Sequence, residues 1–99
     1  MPKIEAKTSV ILSLHSPREK VWGILEEITG AGVFVRGLDL NAFEDYVGAI
    51  VRSEDFIGMS DQFFPLWRVE RIIRDENSGG VPSLLEQFEG RTGKRISDF

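Results

Sequence analysis

The first regular pattern along the chain is an alternation. Val10, Leu12 and Leu14 alternate with Ser9, Ser13 and His15, the spacing of a strand with one face turned inward. Ile11 breaks the alternation and is expected to pack on a neighbouring element. Ser16-Pro17-Arg18-Glu19 reads as a turn. Val21 to Ile28 reads as a second strand, with Val21, Gly23 and Leu25 on one face and Trp22, Ile24 and Glu26 on the other. A glycine inside a strand marks a bend or a close approach of another backbone, so Gly23 is expected to do one of these. Gly30-Ala31-Gly32 reads as a turn and Val33 to Gly37 as a third strand. Three short strands with short connections predict a meander, which in small domains closes into a barrel or sandwich.

The period then changes from two to about 3.6. Phe43, Tyr46, Val47 and Ile50 predict a helix near 42–52, with Asn41 and Glu44 in the spacing of a capping box. Residues 53–58 read as a polar loop. Met59 to Phe64 predicts a fourth strand. Pro65 lacks a backbone donor and fixes φ, so the chain is expected to turn through Pro65–Arg68. A fifth strand then runs from Val69 to Arg74. Leu66, Val69, Ile72 and Ile73 also fit a helical stripe that Pro65 could open, and pattern alone leaves that rival standing. After a linker at 76–82 containing Gly79-Gly80, Ser83 and Glu86 predict a capped helix near 83–91, with Leu84, Leu85 and Phe88 on one face. Gly90 and Gly93 weaken its continuation, and Ile96 and Phe99 dock or fray.

Ninety-nine residues, 41% hydrophobic and 28% charged, describe one domain of an ordinary globular kind. The expected plan is an N-terminal tail at 1–8, a barrel with its helical insertion at 9–75, and a C-terminal helix and tail at 83–99. The absence of cysteine excludes disulfides, thiolate metal sites and a cysteine nucleophile. Lys3, Glu5 and Lys7 interrupt any apolar run at the start, so no secretory leader is read there. No apolar run is long enough for a membrane span, and the cytoplasm is the expected compartment.

The net charge of −4 argues against broad binding to a phosphate backbone. Its placement is uneven. Segment 41–62 carries a net of −4 and segment 63–74 a net of +2. Such opposition suits association between copies, although a solvated surface is the plainer reading.

Little here suggests catalysis. No nucleophile, base and orienting group fall into a recognisable set, so an enzyme is not expected, nor is a cofactor. His15, the lone histidine, is read as a solvent-facing strand residue rather than a metal ligand. Asp39, Glu44 and Asp45 lack the spacing of a calcium loop and read as the acidic start of a helix. Gly90-Arg91-Thr92-Gly93-Lys94-Arg95 fails the spacing of a phosphate loop, and Gly30-x-Gly32 lacks the third glycine of a dinucleotide site.

The strand plan resembles the Sm-like fold, a five-stranded, strongly bent barrel of the SH3 type. The match lies in Val10–Leu14, a loop, Val21-Trp22-Gly23-Ile24-Leu25 and Val33–Val35, then in Met59–Phe64, the Pro65–Arg68 turn and Val69–Arg74. It covers about 65 residues. The usual N-terminal helix, the polar residue after the second strand and the Arg-Gly of the second motif are missing. The family's RNA-binding residues therefore do not carry over. The helix near 42–52 is an insertion between strands three and four.

The resemblance implies a non-enzymatic oligomeric scaffold, possible as a ring, in which the fourth strand of one copy pairs with the fifth of the next. Phe63, Phe64, Val69, Arg71 and Ile73 are the interface candidates. Trp67, Arg68 and Arg36 are candidates for a subsidiary RNA contact, through stacking and phosphate pairing. Trp67 is read first as closing one end of the barrel, second as a subunit interface and third as a nucleotide contact. The alternative function is a monomeric or dimeric protein-interaction domain with its two helices covering the barrel edges.

Overall fold

A computed structural model of the chain describes residues 3–99. Five strands form one antiparallel sheet: β1 (Ser9–Leu14), β2 (Glu19–Ile28), β3 (Gly32–Asp39), β4 (Ser60–Pro65) and β5 (Val69–Arg74). Their spatial order is β4-β3-β2-β1-β5. Two helices complete the chain, α1 (Phe43–Val51) between β3 and β4, and α2 (Leu84–Thr92) after β5. No helix is long and apolar enough to cross a membrane, among the described residues.

The rival helix over 65–74 does not form. Pro65 is the last residue of β4, facing Gly32 of β3, and Leu66–Arg68 make one 3-10 turn. This turn dictates the shape of the sheet. It joins its two outermost strands. A flat sheet of five strands is about 19 Å wide, whereas a 3-10 turn advances about 2 Å per residue. The sheet must therefore curl until its edges converge at Trp67. The Leu66 amide donates to Ala31 O at 2.9 Å, and the His15 amide donates to Arg68 O at 3.0 Å, so the turn is tied to both sides of the curl.

The expected closed barrel is not reached. No ladder joins β4 to β5 among the described residues, and the curl remains an open sheet. The inserted helix and the unpaired edges leave the SH3-type class as a loose description of a mainly β architecture with two helices.

The sheet has an apolar cluster on each side. Inside the curl, Val10, Leu12, Leu14, Val21, Leu25, Val33, Val35 and Phe64 pack together, with Val69 and Ile72 against them. Ile4 joins them, so the described part of the expected tail is pinned. Residues 1 and 2 of that tail lie outside the described residues. On the outer face, Trp22, Leu38, Phe43, Tyr46, Val47 and Phe88 form the second cluster, and Ile11 packs on it. The break in alternation at Ile11 thus has a cause: β1 is covered on both faces.

The helices cover the outer face, not the sheet edges. Trp22 lies edge-on to Phe43 at 5.1 Å and tilted against Phe88 at 6.0 Å, which places both helices over β2. The expected Asn41 cap does not form. Asp39 accepts from the Asn41 amide at 2.8 Å and starts a short 3-10 turn, so α1 begins at Phe43 without a side-chain cap. The Ser83–Glu86 capping box does form, and Gly93, at φ 70°, caps α2 after Thr92, one residue beyond the expected limit of 91.

Candidate functional site

The 3-10 turn presents Trp67, which is 64% exposed, beside Leu66, also exposed. Trp67 therefore does not close the end of the sheet; Phe64 and Val69 on either side of the turn point inward instead. The reason is local. Pro65 leaves the ladder at φ −56° and ψ 143°, and the following turn lifts its side chains out of the strand plane. The Trp67 ring meets His15 edge-on at 6.3 Å. His15 is exposed, as expected for a solvent-facing residue.

Arg68 sits next to Trp67 but is turned back into the molecule. Its Nε donates to His15 O at 3.2 Å, and its Nη2 donates to Pro17 O at 3.0 Å and to Glu19 Oε1 at 2.9 Å. The side chain is 17% exposed. It staples the turn to the β1–β2 connection. Arg36 is likewise engaged, its Nε donating to Phe99 O at 2.8 Å and its Nη1 to Asp61 at 3.2 Å. It faces Asp61 in the β3–β4 register, four residues along β3 from the Gly32–Pro65 pair that leads into the turn. The structure thus brings Trp67 and Arg68 together but leaves Arg36 further down the strand, beneath the C-terminal segment.

The interface candidates divide by face. Phe64 is buried and faces the interior, and Val69 is half-buried against the same cluster. Phe63 is 43% exposed on the outer side of β4. On β5, Ile73 is 45% exposed and Arg71 is exposed. Ile73 faces Ile11 and Arg71 faces Ser13, so both share the outer face with Ile11. Each outermost strand has one paired side and one open side.

Phe34 is a further residue of this surface. It lies opposite Phe63, ring centroids 4.7 Å apart, and both rings are exposed. The signal was present in Val33-Phe34-Val35, where alternation turns an aromatic outward, but alternation does not say whether a helix covers it. Glu26, Glu27 and Asp61 line the shallow cleft beside Phe34. Loss of water contact and the nearby Asp61 carboxylate push Glu26 above its ordinary value, with Arg36 opposing. The β4 edge is therefore aromatic with an acidic rim, and the β5 edge is aliphatic and basic.

Among the described residues no group of three or more potential metal ligands converges. Comparison of the chain with protein-family models, curated proteins and solved structures finds no match to any of them.

Proposed function

We propose that this chain is a non-enzymatic scaffold that associates with further copies of itself, the β4 edge of one copy meeting the β5 edge of the next, as its Sm-like resemblance implies. One observation carries the reading: the two open edges are chemically complementary. β4 offers Phe63 and Asp61, backed by Phe34, while β5 offers Ile73 and Arg71 on the same outer face. Open strand edges pair readily when nothing covers them, and opposite charges select the partner and the register. A contact between two different edges is head-to-tail, so it leads to a ring when the rotation closes and to a filament otherwise.

Phe63 and Ile73 are expected at the centre of such a contact, with Asp61 and Arg71 at its rim. Phe64 and Val69 contribute through their backbones, since their side chains face inward. The subsidiary RNA contact is reduced to Trp67 alone, because Arg68 holds internal acceptors and Arg36 lies further down β3, away from the turn.

Light scattering coupled to size-exclusion chromatography tests the scaffold. The wild-type chain is expected to elute as an oligomer, and Phe63→Lys or Ile73→Lys to give a monomer with unchanged circular dichroism. Arg71→Glu is expected to weaken self-association, and mixing it with Asp61→Arg to restore a mixed assembly. A wild-type monomer at high micromolar concentration overturns the reading.

A second reading, a domain that binds a different protein, is favoured by the exposed Leu66–Trp67 turn. Tryptophan on an exposed turn is a common anchor of protein interfaces. A monomer that loses capture of its partner on Trp67→Ser would favour it.

A further inference from the structure

A second cleft lies on the outer face, away from both edges. It has a volume of about 590 Å³ and opens between β2, β3, the start of α2 and the last segment of the chain. Its floor and walls include Ile24, Met59, Leu85, Ile96 and Phe99, all of them only partly buried. Such a volume and such a lining are those of a small-molecule site.

Three ionisable side chains stand around it: Lys7, Arg36 and Glu26. Lys7 is exposed and forms no ion pair among the described residues. Its backbone amide donates to Leu25 O at 2.6 Å, which fixes its place beside β2. Arg36 uses Nε and Nη1 on Phe99 O and Asp61, so Nη2 has no partner among the described residues. Beyond Phe99 lies a neighbouring cleft of about 490 Å³ that shares Arg36 and Met59 but is lined by Glu54, Asp55 and Asp98. The Lys7 side of Phe99 thus holds two cations against one carboxylate, and the other side one cation against three.

We propose that the cleft between the outer sheet face and the Ile96–Phe99 segment binds a small apolar molecule bearing one anionic group, with the apolar body on Leu85 and Ile96 and the anion at Lys7 and Arg36. The proposal does not depend on self-association. Glu26 sets a limit on the ligand: it disfavours a second negative charge on the same molecule.

Two dyes of one ring system separate the contributions, anionic anilinonaphthalene sulfonate and uncharged phenylnaphthylamine. Fluorescence titration is expected to show saturable, single-site binding of both, with the sulfonate tighter. Lys7→Glu weakens the sulfonate by about threefold, the size of an exposed charge pair, and leaves the neutral dye unchanged. Ile96→Glu weakens both. Trp67→Ser leaves both unchanged, which separates the cleft from the exposed turn. Absence of saturable binding overturns the proposal, as does sulfonate binding that is indifferent to Lys7→Glu and Ile96→Glu. Binding lost in Trp67→Ser places the dye at the turn and overturns it equally.

Discussion

Gly23 and Gly37 face each other across β2 and β3. A Cβ on Gly23 would lie 2.6 Å from Gly37 Cα and clash with Arg36 O. Backbone atoms cannot rotate away, so Gly23→Ala is expected to cost about 3 kcal/mol, measured by urea unfolding. A chain of side-chain bonds ties the outer face together nearby. Trp22 Nε1 donates to Ser9 Oγ at 3.0 Å, and Ser9 Oγ donates to Asp75 at 2.7 Å. Asp75 also accepts from the Leu84 and Leu85 amides at 2.8 and 3.0 Å, adding its charge to the N-terminus of α2. Asp75→Ala leaves these donors unmet and is expected to lower stability by about 2 kcal/mol. Glu26 acts in the opposite sense. Its folded pKa lies above 4.5, chiefly through desolvation and then through Asp61. The native state then holds the proton more tightly than the unfolded state, so this carboxylate destabilises the fold once pH rises above its raised pKa. Glu26→Gln is expected to raise the melting temperature at neutral pH, with the gain vanishing below about pH 4, where both states are protonated.

The 3-10 turn is the element on which the others depend for their placement. It links opposite edges of the sheet, and Arg68 locks it to the β1–β2 connection. Arg68→Ala is expected to cost about 2 kcal/mol, because it removes three bonds from a charged donor that is largely buried. Were Arg68 a nucleotide contact, its loss would leave the unfolding midpoint in place, so thermal melts discriminate between the roles. The first strand was legible because Val10, Leu12 and Leu14 repeat every second residue and face one side, although Ile11 interrupts the polar positions between them. The turn was half legible: Pro65 stops a ladder but could also open a helix over Leu66–Ile73, and the pairing of β5 with β1 decided between them. The start of α1 was less so, since Asn41 and Asp39 are both good caps and the choice between them depends on how β3 delivers the chain.

For the whole molecule, two apolar clusters on opposite sides of one sheet explain how so short a chain keeps both β1 and β2 covered. Phe88 is the hinge of the outer cluster. It is fully buried, stacked on Tyr46 at 5.8 Å and edge-on to Phe99 at 5.4 Å. Phe88→Ala is expected to cost about 4 kcal/mol and to release α2, read as a loss of helical circular dichroism before the sheet unfolds. The Glu44–Arg91 pair, 2.9 Å between the helices, is exposed and contributes little to that docking.

The first four strands and the two helices follow from local physics, since alternation and helical period act over a few neighbouring residues, whereas 65–74 stayed open between turn plus strand and helix until its pairing with β1 decided it. At Gly23 the sequence offered a bend or a close backbone approach, and the facing Gly37 of β3 decided for the second. What lies over each face was not readable that way. Trp22, Phe34 and Trp67 are all large aromatics that follow an aliphatic residue, yet Trp22 is sealed beneath two helices while Phe34 and Trp67 meet solvent. The fates of Arg36 and Arg68 were hidden likewise, because their acceptors lie 63 and about 50 positions away along the chain. Whether the curl closes is also a long-range matter, for it depends on the distance between the first and last strands of a sheet. Packing across the sheet, which couples residues far apart in the chain, assigned those positions.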